Sequence, residues 1–510
     1  MILALTGAWF GFANPVAQLP PLALLLPAGC AMAGVRAQRP GTAFRHGWII
    51  AATAYAACLY WIALPVHQYG KLPWMLAVPC PLLVGLYLGL YGGIFALGMR
   101  AMRGKLSWML TGLWAAGLWA LLEAARGVLL TGFPWLALAS AFSPWPFAVQ
   151  GAAWLGASGL SGLLAGAAVL MAVGDSLRPR LAGAILLGLL GLWGTWAVDQ
   201  PVEAEGTTSV LIAQGNIDQS LKWDDNYRLG TINRYAALTQ NGLRQGPADL
   251  VVWPETALPF YFQEPSTLSV NVKQAIREAA TPLLTGTPAY TFDATKQTFL
   301  QHNRAVLLDG AARTLGRYDK EHLVPFGEYV PLDKLLPFVK KLAQGAGDFV
   351  PGLALEPLAT GPLKLGVLIC YETIFPELAN ARVAAGANIL VNISNDAWFG
   401  RSSSPFQHLQ MSVLRAVEQR RTLVRCTNTG ISAFIGPRGR ILQSGGLFVS
   451  GSYRHDALPL VTSTTFFHRH RISLGTGLAV LLGLIAALAM LEKTRKTPRL
   501  ANRPSSGYNC

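Results

Sequence analysis

A chain of 510 residues that is 52% hydrophobic and 13% charged, with a mean hydropathy of +0.37, is too apolar for an ordinary water-soluble protein of that length. Its net charge of +15 is unevenly spread: residues 201–455 carry 24 Lys and Arg against 21 Asp and Glu, and the remainder carries 17 against 5. The basic excess sits in short segments between apolar runs, which argues against nucleic acid, and six scattered cysteines without CxxC or Cys/His spacing argue against a disulfide framework or a zinc site.

Apolar segments that cross a bilayer, or nearly so, lie at about 2–17, 21–35, 45–65, 74–99, 106–128, 150–173, 181–198 and 472–491, predicting eight membrane helices. The first two are short and separated only by AQLPP; the first lacks the basic start of a signal peptide and reads as a span or half of a tight hairpin. Basic clusters follow the second segment (Arg36, Arg39, Arg45), the fourth (Arg100, Arg103, Lys105), the sixth (Arg178, Arg180) and the eighth (Lys493, Arg495, Lys496, Arg499, Arg503). By the positive-inside rule these junctions are cytoplasmic, so both chain ends are expected inside and the polar block outside. The expected organisation is helices one to seven within 1–200, an extracytoplasmic domain at 203–455, a last helix at 470–492 and a basic cytoplasmic tail at 493–510.

In the fifth segment Glu123 and Arg126 are one turn apart, which suits an ion pair near the interface with a snorkelling Arg, or an intramembrane functional pair. Trp135 and Trp145 read as interfacial aromatics. In the polar block, β-rich runs (SVLIAQG, LVVW, RAVLL, LKLGVLI, NILVNIS, TLVRC, SAFIG) alternate with helical stretches such as NYRLGTINRYAALTQNGLRQ and HLQMSVLRAVEQRR, giving an α/β fold. Arg415, Arg420, Arg421 and Arg425 are expected on a solvated, ion-paired face, and Cys426 as a buried spare thiol.

Polar residues gather where the apolar runs stop. Glu255 follows LVVWP, Cys370 ends GVLI ahead of Tyr371 and Glu372, and Asn395 and Asp396 follow NILVNIS; Lys320, Glu321, His322 and Glu328 lie in a loop-like stretch. A lone buried Cys is usually a small core residue, but a carboxylate after a strand and a Pro must find a partner. A thiol, a carboxylate base and an ammonium together make a nucleophilic acyl-transfer site. No GxSxG elbow occurs, and His302, His322 and His408 lack flanks that mark a triad, so HNR and HLV read as structural.

WPETALP, YDKEHLVPFGEYVP and LICYETIFPE resemble the three catalytic segments of the nitrilase superfamily, and QGNIDQSLKWD and ISNDAWFG resemble its membrane branch, the bacterial apolipoprotein N-acyltransferase family. The resemblance covers nearly the whole chain. It implies an αββα sandwich inserted before the last of eight membrane helices, with Cys370 as nucleophile, Glu255 as general base then acid, and Lys320 as oxyanion stabiliser beside a backbone N–H near Cys370. It gives supporting roles to Trp223, over an acyl chain or as a packed aromatic, and to Glu328, which orients Lys320 or tunes Glu255. Glu372 is expected to do the same from the other side, and Tyr371 to shape the pocket or make a structural hydrogen bond.

The implied reaction moves an acyl chain from a phospholipid, through a Cys thioester, to the α-amine of an apolipoprotein's N-terminal S-diacylglyceryl cysteine. No cofactor or metal is required, a monomer is expected, and the implied location is the bacterial inner membrane with the α/β domain periplasmic. KLLPFVKKLAQGAGDFVPG is expected as a lid with Gly345, Gly347 and Gly352 as flexible points, Lys340 and Lys341 meeting headgroups or solvent. Two rivals stand beside this reading: a membrane-tethered amidase or ester hydrolase that uses water, and a transporter with an outer ligand-binding domain, which should show polar midplane residues or broken helices.

Overall fold

The computed structural model describes residues 1–330, 348–353 and 356–496, with side chains up to 490. The N-terminal part is helical: α1 (Ile2–Gly11), α2 (Leu25–Arg36), α3 (Pro40–Cys58), α4 (Ala63–Gln68), α5 (Trp74–Ala77), α6 (Pro79–Met102), α7 (Trp108–Arg126), α8 (Ala152–Val173) and α9 (Leu177–Asp199). Proline opens α3 and α6, where its missing N–H leaves no hydrogen bond unmade. Every expected apolar segment contains a helix, the first only over Ile2–Gly11. Among the described residues five helices are long and apolar enough to cross a bilayer: Trp74–Met102, Trp108–Arg126, Ala152–Val173, Leu177–Asp199 and Phe466–Met490. Pro40–Cys58 and Tyr60–Gln68, bent by 57°, make a sixth if counted as one span, and Ile2–Gly11 and Pro20–Arg36 are shorter. Helices α3 and α6 pack closely because Gly85, Gly89 and Gly92 present bare backbone to Ala52, Ala56 and Ala51, so the contact is made by dispersion between small residues.

Strands β1 (Gly206–Gln214), β2 (Leu250–Val252), β3 (Leu283–Asp293), β4 (Thr298–Leu308) and β5 (Thr314–Asp319) form one sheet. A second sheet contains β6 (Leu358–Thr360), β7 (Leu363–Ile369), β8 (Ile389–Ser394), β9 (Leu423–Thr427), β10 (Ala433–Ile435) and β11 (Ile441–Ser444), while β12 (Gly451–Leu460) returns to the free edge of β1. Each sheet has three parallel central strands with antiparallel flanks. Alternation sets the layers: Val210, Ile212, Val252 and Leu307 face Val367, Ile369, Val391 and Val424 across the sandwich. The other side of the first sheet (Leu211, Val251, Leu283) is covered by α10 (Asp225–Leu243) and α11 (Thr267–Ala279). The other side of the second (Leu368, Leu390, Leu423) is covered by α12 (Pro376–Ala384) and α13 (Ser404–Gln419). Helix α14 (Phe466–Lys496) follows β12.

Helix α13 differs from an ordinary sandwich helix because all of it except Phe406 is buried. One side meets the second sheet and the other meets the bundle, in a single apolar cluster that runs from Leu368 and Leu423 to Trp135, Leu138 and Leu160. Polar side chains fasten this contact. The Gln407 carbonyl oxygen accepts from the indoles of Trp61 (3.1 Å) and Trp135 (2.8 Å), and its amide donates to Ala13 O (3.1 Å) and Cys58 O (3.0 Å). Glu418 Oε1 accepts from Ala157 N at 2.7 Å, beside the break in α8 at Gly156.

These contacts overturn three expectations. Arg415, Arg421 and Arg425 are buried, not solvated, because α13 lies between the second sheet and the bundle and β9 is an inner strand of that sheet; Arg415 pairs with Glu418 at 2.8 Å, and Arg421 donates to Ala387 O, Ser463 O and Thr462 O. Trp135 is buried at the junction, whereas Trp145 is partly exposed. Glu123 and Arg126 form the expected ion pair, at 4.0 Å, but both are buried, the latter 1% exposed, so snorkelling is excluded: Glu123 accepts from Trp119 Nε1 (3.0 Å) and Leu138 N (2.8 Å), and Arg126 donates to Tyr55 OH (3.0 Å).

Candidate functional site

Strand β7 ends at Ile369, and the next residue, Cys370, takes φ +52 at the start of a 3₁₀ turn over Cys370–Ile374. A left-handed non-glycine residue costs of order 1 kcal/mol or more, so its surroundings must hold it. Below the turn, Cys370 O receives Asn392 Nδ2 (3.3 Å) and His408 Nε2 (3.1 Å). Since Nε2 faces a carbonyl it must carry the proton, while Nδ1 lies 3.0 Å from Arg425 Nη2 and 3.2 Å from Asp396 Oδ1. Arg425 also pairs with Asp396 (2.7 Å) and binds Asn392 Oδ1. Asp396 is held well below the usual carboxylate range: burial pushes it up, but Arg425 and His408 outweigh that.

Glu372, 0% exposed, closes the turn from the other side. Its Oε2 accepts from Ile369 N (2.6 Å), and its Oε1 from Tyr318 OH (2.7 Å), Glu321 N (2.7 Å) and His322 N (3.0 Å). It therefore ties the Lys320 loop to the Cys370 turn; among the described residues no hydrogen bond joins it to Glu255.

Glu255 and Lys320 come from the first sheet. Glu255 follows β2 and Pro254, is buried, and precedes Thr256 at φ +49. Lys320 follows β5; its backbone N donates to Asn303 O (2.8 Å), and its Nζ lies 2.8 Å from Glu328 Oε2. One amide joins the two carboxylates, because Asn303 Nδ2 donates to Glu255 Oε1 (2.8 Å) and to Glu328 Oε1 (2.9 Å). Glu328 thus touches Lys320 directly and Glu255 through Asn303. Lys222, which precedes Trp223, is also buried here, with Nζ 3.3 Å from Glu255 O.

The electrostatics follow from burial and from these partners. Burial pushes the Cys370 thiol up and the Glu255 charge adds to this, against the opposing pull of Lys320. Burial also raises Glu255, opposed first by Lys320 and then, beyond the effect of Glu328, by Asn303 and Lys222. For Lys320 burial alone would lower the pKa, but Glu328 and Glu255 raise it on balance, so it stays an ammonium. The resting arrangement is a neutral thiol beside a poised carboxylate and a fixed cation, which can pass a proton from sulfur to carboxylate as a bond forms at sulfur.

The other expected residues divide. Tyr371 points to the bundle, its OH 3.4 Å from Gly132 O and its ring against Phe375 (5.0 Å) and Trp135 (6.4 Å). Trp223 is 48% exposed and is not a packed core aromatic. His302 bonds Thr291 and Val350 O, as a structural residue does. Cys426 is buried between Ala213 O and Val252 O. Of the expected lid, 334–347, with Lys340, Lys341, Gly345 and Gly347, lies outside the described residues. Gly352 is not a loose point: its N–H donates to Lys320 O at 2.8 Å, with no room for a Cβ against Asp319. Among the described residues no three His, Cys, Asp or Glu side chains are grouped to hold a metal ion.

Sequence reasoning missed Asn303, Lys222 and the His408 cluster. Only Asn303 left a signal, as a polar residue in register with Ala305 and Leu307, whose side chains line the sandwich interior.

Two family models match the chain: Carbon-nitrogen hydrolase over residues 210–452, and Apolipoprotein N-acyltransferase N-terminal domain over residues 6–170. The chain is similar to the apolipoprotein N-acyltransferase of Geobacter metallireducens, 39% identical over 97% of this chain and 96% of that one. It is also similar to the one from Azotobacter vinelandii, 36% identical over 92% of each. Among solved structures, a variant of an amidase of the nitrilase superfamily from Nesterenkonia matches at 19% identity and a TM-score of 0.40, covering 55% of this chain and 99% of that one. By identity along nearly its whole length, the chain belongs to the apolipoprotein N-acyltransferase family.

Proposed function

We propose that this chain transfers an acyl chain from a membrane phospholipid to the α-amine of the N-terminal S-diacylglyceryl cysteine of apolipoproteins, by way of a thioester on Cys370. The observation that carries the reading is the joining of Glu255, Asn303, Glu328 and Lys320 in one buried network facing Cys370. Glu255 takes the thiol proton as Sγ attacks the ester carbonyl carbon. Lys320, held by Glu328, faces the charge that develops on the carbonyl oxygen. The ester C–O bond then breaks, Glu255 returns its proton to the departing alkoxide, and lysophospholipid leaves. In the second half the α-amine attacks the thioester carbon, the C–S bond breaks, and Glu255 relays the amine's proton to sulfur. Trp223, exposed beside Lys222, is suited to cover an acyl chain.

The same reading places the α/β domain of 203–455 on the periplasmic face of the inner membrane, between helices one to seven (1–200) and the last (470–492), with the 493–510 tail cytoplasmic. The alternation of basic junctions supports it.

Mass spectrometry of purified enzyme incubated with phospholipid alone tests the chemistry. An acyl increment on the peptide that contains Cys370, absent in Cys370→Ala and discharged by a diacylglyceryl peptide, is the expected result. Turnover without acylation of Cys370 would end the thioester route, and free fatty acid without N-acylated peptide would point to the water-using hydrolase.

A further inference from the structure

The site contains a second buried cation for which the mechanism above has no use. Lys222 is 2% exposed, and its one hydrogen-bond acceptor among the described residues is the backbone oxygen of Glu255, at 3.3 Å. An ammonium in such a place is costly unless negative charge faces it. Burial draws Lys222 down to about 8, and the groups that pull it back up are Glu255 and Cys370. If Lys222 only filled space, an uncharged side chain of the same length would serve without that desolvation cost.

The carbonyl it holds is also informative. Glu255 O belongs to the peptide that leads into Thr256 at φ +49, so the Lys222 bond anchors the chain where the carboxylate is aimed. It also ties the segment that bears Trp223 to the base. We infer that Lys222 is a positioning residue for Glu255, fixing its strained turn through the backbone oxygen and supplying the positive charge that steadies its carboxylate beside Glu328. The inference rests on Glu255 being the base proposed above.

The charged groups that face Glu255 are Lys320 and Lys222, which favour its ionised form, and Glu328, which opposes it; the Asn303 amide also favours it. Without the Lys222 charge, Lys320 alone balances two carboxylates. Glu255 then keeps its proton to higher pH, and the rising limb of the acylation rate moves in the alkaline direction.

The experiment uses full-length enzyme in micelles and one phospholipid, reading the Cys370 thioester by mass in a single turnover across the pH range. Lys222→Gln retains a donor for Glu255 O but not the charge, Lys222→Met removes both, and Lys222→Arg keeps the charge. The expected result is a rising limb about one pH unit more alkaline in Lys222→Gln, with acylation about tenfold slower on that limb and converging on wild type above it, and with the wild-type limb restored in Lys222→Arg. Lys222→Met repeats the shift if Lys222→Gln does not fold. A rate lowered by the same factor at every pH, or an unmoved limb, would overturn the inference. Glu255→Gln separates the two readings: a rising limb that survives in Glu255→Gln removes the base assignment and this inference together, whereas one lost in Glu255→Gln but unmoved in Lys222→Gln removes this inference alone.

Discussion

Replacing Glu372 by Gln changes almost no volume and tests whether the Cys370 turn is held by acceptors. The carboxylate receives four donors, three on Oε1 and one on Oε2. An amide has one oxygen, and its better orientation keeps that oxygen at the Oε1 position. The NH₂ then faces the N–H of Ile369, leaving a buried backbone donor without a partner next to Cys370. An unsatisfied buried donor costs about 1–3 kcal/mol, and three bonds to a charged acceptor become weaker bonds to a neutral one, so a total loss near 3 kcal/mol is expected. If about half of it appears as misplacement of Cys370, turnover falls roughly tenfold. Thermal unfolding in detergent and thioester formation by mass read the two parts. Glu372→Gln with wild-type melting and wild-type acylation would refute the reasoning, because no orientation of the amide satisfies all four donors.

Further predictions follow from the same inventory. Gln407→Leu strands two indole N–H groups and frees Ala13 O and Cys58 O, so it should destabilise the chain by about 2–4 kcal/mol, seen as a lowered melting temperature. Asn303→Leu leaves Glu255 Oε1 and Glu328 Oε1 without their shared donor; Glu255 should titrate higher and acylation slow about 10–100-fold, most at low pH, in a single-turnover assay. Burial and Arg425 hold His408 below its usual pKa, outweighing Asp396. The unfolded chain takes up a proton below about 6.5 and the folded chain does not, so stability is full above that pH and declines as pH falls toward the folded pKa. His408→Gln keeps a donor for Cys370 O and should flatten the decline in melting temperature between pH 7 and 5; an unchanged slope would count against a buried neutral imidazole.

The strands that sequence reasoning found are those buried on both faces. SVLIAQG, LKLGVLI and NILVNIS lie in β1, β7 and β8, with few polar residues to break the run. Strand β3 escaped because Gly286 and Pro288 interrupt it, and its Thr-rich run pairs with β4 across eleven residues that no local pattern announces. Glu255 and Cys370 were legible because each ends an apolar run, and Lys320 because its segment is distinctive. Asn303, Lys222 and His408 reach the site only through the packing of separate elements. The arginines near α13 were misplaced because a charged helix usually faces water. Its apolar residues, Leu409, Met411, Val413, Leu414, Ala416 and Val417, fall on more than one face, which is the mark of a helix buried all round.

On the thioester route proposed above, that burial gives α13 a part in the chemistry. Gln407 and His408 are consecutive, Gln407 bonding the bundle indoles while His408, its ring 5.4 Å from Trp135, bonds the carbonyl of Cys370. The position of the sulfur is therefore set relative to the bundle through one peptide unit instead of a tether. For a transfer in which donor and acceptor are both anchored in a bilayer, the depth and lateral place of the sulfur decide whether either carbonyl reaches it, and a displacement of about 1 Å can cost a hundredfold in rate. A domain on a flexible stalk would also have to order itself at each encounter, adding a cost in conformational entropy to both half-reactions. The buried ion pair of Arg415 and Glu418, two to three turns further along α13 and bonded to α8 at Ala157, extends the same fixation. Loosening this interface should therefore lower the rate constants of both half-reactions even in variants that remain folded and membrane-bound.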